Sequence, residues 1–231
     1  MSYPSPSPSL VFDRMTDADP PAPARDTPKS QRTRARILDC AMKLFAEIGY
    51  AAATNPRIAE EAGLTRGAML YHFPTRETLV DAAVGHIQAA RLALLSAAAD
   101  QGPSGADVAE HAIDAYWAAL HSPPFIAFAE LEAAARINPD VRQRIAGAQS
   151  EFDQAQVGEP FSRMISTGAG PRFQASRDLA RFMLEGLARA QLTYGKDERI
   201  ENLLMVIKRA THMLNRKGSV QDLWPDDAPP R

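Results

Sequence analysis

Between Lys29 and Arg76 the chain sets eight basic side chains (Lys29, Arg32, Arg34, Arg36, Lys43, Arg57, Arg66 and Arg76) against four acids, Asp39, Glu47, Glu60 and Glu61. That stretch therefore carries +4, and the rest of the 231-residue chain carries −6 to reach the net −2. Cations gathered in one segment of an otherwise acidic chain suit a polyanionic partner. Groups that break bonds are not gathered in the same way. The sequence holds no nucleophile elbow, no phosphate-cradling glycine loop and no metal motif. Glu130 and Glu132 stand two apart on a helical stretch and so do not face each other. His111 and His121 are ten apart, which is not one helical face in adjacent turns. The single cysteine, Cys40, excludes an internal disulfide framework and a multi-cysteine zinc site, and its apolar helical setting reads as a small buried hydrophobe. These features lead to the expectation of a non-enzyme with no catalytic residue, metal or cofactor.

The elements that must position the basic residues are helices. Ile37, Ala41, Leu44, Phe45 and Ile48 recur at helical spacing over about 32–48, and Gly49 ends that run. Thr54 is placed to cap a second helix with Pro56 in its first turn, and Gly63 stops it. Thr65 caps a third helix that reaches His72, closed by Phe73-Pro74. In Ala62-Gly63-Leu64-Thr65, glycine permits a sharp left-handed turn, Leu64 anchors the corner and Thr65 starts the next helix. Two crossed helices joined so tightly form a helix-turn-helix, whose second helix enters a major groove while the first braces it. A longer helix starts at Thr75 with Leu79, Ala83, Ile87, Ala90 and Leu94 on one face. Further helices are expected near 106–121, 124–137, 139–166, 176–194 and 197–216, broken at Gly102–Gly105, Ser122-Pro123-Pro124, Asn138-Pro139, Gly168–Pro171 and Gly195. The expected fold is all-α with about nine helices, no credible strand and no internal repeat.

The pattern Ile37-Leu38, Ala41, Leu44-Phe45, Gly49-Tyr50, Thr54, Ile58-Ala59, Ala62-Gly63-Leu64-Thr65-Arg66-Gly67-Ala68, Tyr71-His72-Phe73 and Leu79 closely resembles the DNA-binding domain of tetracycline-repressor-type (TetR/AcrR) regulators. The resemblance covers about 50 residues and does not reach the C-terminal two-thirds. It implies that Thr65, Arg66, Gly67 and Ala68 open the recognition helix against base edges and phosphates, with Arg66 the one long donor, able to fork to a guanine. It gives Tyr71 a phosphate contact, and His72 either a phosphate contact or a packing role. Arg76 stands where the family usually has a lysine that holds a phosphate, and Thr54 and Arg34 are further candidate contacts. Asn55, where the family is commonly apolar, and Leu70, where an aromatic is frequent, depart from the pattern. Arg57 reads equally as a solvated residue.

For the remainder, the resemblance implies a cavity between the middle helices for a small apolar or amphipathic molecule, with Trp117, His121, Phe125, Phe128, Glu130 and Phe152 as candidate lining. Trp117, Phe125, Phe128 and Phe152 belong to a wider set, Tyr116, Phe161, Met164, Phe173, Phe182 and Met183 included, whose members individually read as ordinary core. Two apolar stripes, Leu179, Phe182, Gly186 and Ala190, then Ile200, Leu203, Leu204, Ile207, Ala210, Thr211 and Leu214, read as bundle helices. The same stripes would serve an intramolecular core, but the resemblance implies a homodimer interface, with Leu179, Phe182, Gly186, Ala190, Leu203, Ile207, Ala210 and Leu214 as its candidates.

The organisation expected is a disordered Pro-rich tail over 1–28, a helix-turn-helix domain over 29–79, a ligand-binding and dimerisation domain over 80–217, and a C-terminal tail over 218–231 that Trp224 could pin. No apolar stretch approaches the about 20 residues of a membrane span, and the N-terminus lacks a secretory core, so a cytoplasmic location is expected. The resulting expectation is a sequence-specific transcriptional regulator, a repressor by default. Its partners would be a near-palindromic double-stranded DNA operator, a second copy of itself and a small-molecule effector. Rivals are a DNA-binding protein of this fold acting on nucleoid or division machinery, a helical adaptor, and an enzyme using the helical cavity.

Overall fold

The computed structural model describes residues 27–102, 108–157 and 171–215, with side chains left undescribed at 108–109, 155–157, 171–176 and 212–215. The described residues are all-helical and form nine helices: α1 (Pro28–Ile48), α2 (Asn55–Glu61), α3 (Arg66–His72), α4 (Arg76–Asp100), α5 (Val108–Leu120), α6 (Pro123–Ala135), α7 (Pro139–Val157), α8 (Pro171–Tyr194) and α9 (Glu198–Asn215). Residues 1–26 of the expected N-terminal tail, the C-terminal tail with Trp224, Phe161 and Met164, and the expected end of α7 beyond residue 157 lie outside the described residues, as do the side chains of Phe173 and Leu214.

Two helices start earlier than their apolar periodicity predicts, and proline is the reason in both. Thr27 caps α1, its hydroxyl accepting from Ser30 N at 3.2 Å, with Pro28 in the first turn. Pro171, expected to separate helices, instead opens α8. A proline costs little where the N–H has no intrahelical partner.

Gly49, Gly63 and Gly195 take positive φ, and no non-glycine residue described does. Gly63, at φ +62°, sets the crossing of α2 and α3, with Leu64 N donating back to Ala59 O at 2.8 Å. Thr65 caps α3 through Ala68 N at 3.2 Å. Thr75 and Thr78 form a reciprocal capping box that starts α4. Thr54 stands at the cap of α2, but its side chain makes no capping bond.

One core joins α1–α4 to α6 and α7, built on Ile37, Phe45, Ile58, Met69, Phe73, Leu79, Ile87, Phe128 and Leu131. Burying one such side chain contributes about 1.5–3 kcal/mol. A second core, with Leu95, Ile113, Tyr116, Phe125, Phe152, Leu184, Ile200 and Ile207, joins α4, α5 and α6 to α7, α8 and α9. α4 enters both, so a displacement of the body has a continuous helix along which to reach the head. By length and composition α4 is apolar enough to cross a membrane, which the sequence reading did not anticipate. Here it packs against α1, α5, α6 and α7. Its buried face continues through Val84, Gln88, Arg91 and Leu95, whereas Leu94, expected inside, is 41% exposed.

Candidate nucleic-acid interface

The surface formed by α3 and its approaches is built from side chains with few internal obligations. Thr65, Arg66 and Gly67 are exposed, and Arg66 makes no hydrogen bond or ion pair with any described residue. A Cβ added at Gly67 would meet nothing within 4 Å, so packing does not demand glycine there. Met69, by contrast, is buried and ties α3 to the core. Tyr71 is 66% exposed and meets His72 edge-to-face at 5.2 Å, while Leu70 is 40% exposed beside it. α3 thus offers solvent a cation, a bare backbone step and a phenol along one short helix.

Other cations near this surface are occupied. Arg34 Nη1 donates to His72 O at 2.7 Å, with the guanidinium carbon 4.4 Å from the Phe73 ring centroid, which clips α1 to the end of α3. Arg76 Nη1 donates to Ala53 O at 2.8 Å and to Asn55 Oδ1 at 3.2 Å, and Nη2 donates to Tyr50 O at 3.1 Å. Its guanidinium also lies over the rings of Tyr50 and Phe45, at 4.8 and 5.4 Å. Lysine has no fork with which to reach these acceptors together. Asn55 and Arg76, two positions where the sequence departs from the resembled pattern, are therefore partners. Both arginines hold the frame of the head, a role their sequence neighbourhood did not reveal. Lys43 pairs with Glu61 at 2.6 Å across α1 and α2, and Arg57 donates to Ala52 O at 3.3 Å. Thr54 stays exposed and Ala68 half-buried.

Residues 37–83 match the family model of bacterial regulatory proteins of the tetR family. The chain is 43% identical over 61 residues to the HTH-type transcriptional repressor KstR2 of Rhodococcus jostii, a match covering 26% of this chain and 30% of that relative. Over these residues the head is similar to the tetR family. The match thus spans under a third of the length of that curated relative. The fold extends further. A TetR-family transcriptional regulator structure from Rhodococcus sp. aligns over 80% of this chain and 100% of its own, with a TM-score of 0.59 at 21% identity. A transcriptional regulator from Saccharomonospora viridis, solved with choline, aligns over 78% of this chain and 95% of its own, with a TM-score of 0.58 at 18% identity.

Behind the head, the structure separates the six residues expected to line one cavity. Phe125, Phe128 and Phe152 converge, with Phe125 edge-on to Phe152 at 6.2 Å. Glu130 does not join them. Its carboxylate approaches the end of α1, where a Cβ on Gly49 would sit 2.9 Å from Oε2. His121 is exposed, its ring nitrogens 2.8 Å from Trp117 O and 2.7 Å from Gln191 Oε1, at the seam of α5 and α8. Trp117 lies edge-on to it at 4.7 Å.

What the three phenylalanines surround is Arg91, which the sequence reading missed. Its guanidinium carbon lies 3.9, 4.0 and 4.7 Å from the ring centroids of Phe152, Phe128 and Phe125. Burial pulls the pKa of this guanidinium down to about 10, below its ordinary value. The neighbouring Tyr116 hydroxyl donates to Glu185 Oε1 at 2.8 Å, and burial raises its pKa. The available signal was polar residues three apart, Gln88 and Arg91, continuing the apolar face of α4.

The α8–α9 pair leaves an apolar surface. Leu179 and Phe182 are 49% and 60% exposed, Gly186 is exposed and Ala190 half-buried. On α9, Leu203 and Val206 are exposed and line a shallow groove with Glu198, Arg199 and Asn202. Ile207 does not share that face. It is buried with Ile200 and Thr211 toward this chain's own core, because α9 also packs on α5. Ala210 is half-buried.

Proposed function

We propose that this chain is a sequence-specific DNA-binding transcriptional regulator, with a head over 29–79 and a ligand-responsive, dimerising body over 80–217. The observation that carries this reading is the exposed Arg66, without a partner among the described residues, beside Gly67 and Tyr71 on α3, in a head matched by the tetR family model. Thr65, Arg66, Gly67, Ala68 and Tyr71 make the groove and phosphate contacts, with Thr54 donating from the cap of α2 and His72 acting through packing. Arg34 and Arg76 act indirectly by holding α3 and the loop before α2.

A homodimer formed through the exposed faces of α8 and α9, with Leu179, Phe182, Gly186 and Leu203 at its centre, sets two α3 helices one DNA turn apart, about 34–36 Å. It binds a near-palindromic operator as a repressor in the cytoplasm. A small molecule bound in the body favours a different head spacing and lowers operator affinity by its differential binding energy, about 1–3 kcal/mol. The choline complex of the Saccharomonospora viridis regulator supports a small-molecule site in a protein of this fold.

The test is fluorescence-anisotropy binding to DNA upstream of this protein's own gene, at two salt concentrations with random duplex as competitor. Competitor-resistant binding in the nanomolar range by a dimer is expected. Weak binding erased by salt on both duplexes would overturn the operator reading.

A further inference from the structure

Arg91 is 3% exposed and Gln88 is 4% exposed, and both stand on the inner face of α4. Arg91 Nη1 donates to Gln88 Oε1 at 3.0 Å, which links the two side chains but leaves Arg91 Nε and Gln88 Nε2 buried without an acceptor. No carboxylate among the described residues pairs with Arg91. Its neighbours are already matched to other partners. Glu185 accepts from Arg181 at 3.0 Å and from Tyr116, Asp153 accepts from Arg181 at 2.5 Å, and Glu132 pairs with Arg189 at 3.3 Å.

A buried cation without a counter-ion is among the least favourable groups a core can hold. The ring faces of Phe125, Phe128 and Phe152 offset part of that cost. They supply no acceptor for the orphaned N–H groups. An apolar side chain of similar volume would fill the same space without either defect. Two adjacent unfilled donors, one positive charge and apolar aromatic walls together describe the complement of one ligand class.

We propose that Gln88 and Arg91 form the head-group subsite of the effector pocket. The ligand is a small organic acid, with a carboxylate that accepts from Arg91 Nε and Gln88 Nε2 and an apolar body that lies against Phe125, Phe128 and Phe152. This rests on the ligand-responsive body proposed above and names the chemistry of its ligand.

The experiment is calorimetric and thermal-shift titration of the full chain, without DNA, using acid and alcohol pairs of matched body: benzoate and benzyl alcohol, phenylacetate and 2-phenylethanol, octanoate and 1-octanol. At least one acid is expected to bind about tenfold or more tightly than its alcohol, as a charge-assisted hydrogen-bond pair should. Arg91→Met should abolish that preference while melting, without ligand, at or above the wild-type temperature. Gln88→Leu keeps the cation and should reduce acid binding several-fold, which serves as the test if Arg91→Met does not fold. No preference for any acid over its alcohol, or a preference retained in these variants, overturns the proposal. Because binding is read without DNA, failure of operator binding would leave this subsite standing. Acid binding that never alters operator affinity would keep the site and remove its role as an effector site.

Discussion

Replacing Arg76 by alanine separates a structural clamp from a phosphate contact. The substitution removes hydrogen bonds to Ala53 O at 2.8 Å and Tyr50 O at 3.1 Å, and a longer one to Asn55 Oδ1. It also removes the cation's contacts with the Tyr50 and Phe45 rings. A hydrogen bond of this kind contributes about 1 kcal/mol net where the freed carbonyl regains water, and more where it does not. Each cation–π contact adds about 0.5–1 kcal/mol. Since all these contacts share one guanidinium they do not add fully, and a loss of about 2–4 kcal/mol follows. Urea denaturation of wild type, Arg76→Ala and Arg76→Lys measures it. The alanine variant should unfold at clearly lower urea with an unchanged slope. The lysine variant should recover part of the loss, because one ammonium cannot reach carbonyls on both sides of the loop. The reasoning would be refuted by an alanine variant as stable as wild type whose DNA binding has a salt slope reduced by about 0.9, the signature of one lost phosphate contact.

Arg66→Ala should leave the unfolding midpoint unchanged and cost about 1–3 kcal/mol of specific binding, relaxing preference at one base position. Equal loss on operator and random duplex in the anisotropy assay would remove it from base readout. Gly63→Ala forces a Cβ into φ +62° with no steric contact around it, so it should destabilise by about 1 kcal/mol, with Gly63→Asn milder. Equal midpoints for all three proteins would mean that the turn tolerates a Cβ without strain. Phe182→Glu combined with Leu203→Glu should yield a folded monomer by sedimentation and abolish tight operator binding, and an intact dimer would move the interface elsewhere.

The helical class, the turn at Gly63 and the cap at Thr65 were legible from the chain because their causes lie within a few residues: a glycine that accepts positive φ, a hydroxyl three residues from the N–H it caps, an apolar repeat of helical period. Local reasoning failed at Pro28, assigned to the tail, and at Pro171, read as a break, for both are first-turn residues of helices. It also merged the two faces of α9, since an apolar stripe looks alike whether it meets a neighbouring helix or another surface. Ile207 turned inward and Leu203 outward only because α5 lies on one side.

Above all, tertiary structure decided what the arginines do. Arg34, Arg66, Arg76 and Arg91 are chemically identical in the sequence. Arg34 and Arg76 find their carbonyls 21 to 38 positions away, Arg91 finds three rings from two other helices, and Arg66 finds no described partner. A guanidinium is long and always charged, so its role is set by which acceptors the fold brings within reach. That distance along the chain is information no local pattern carries.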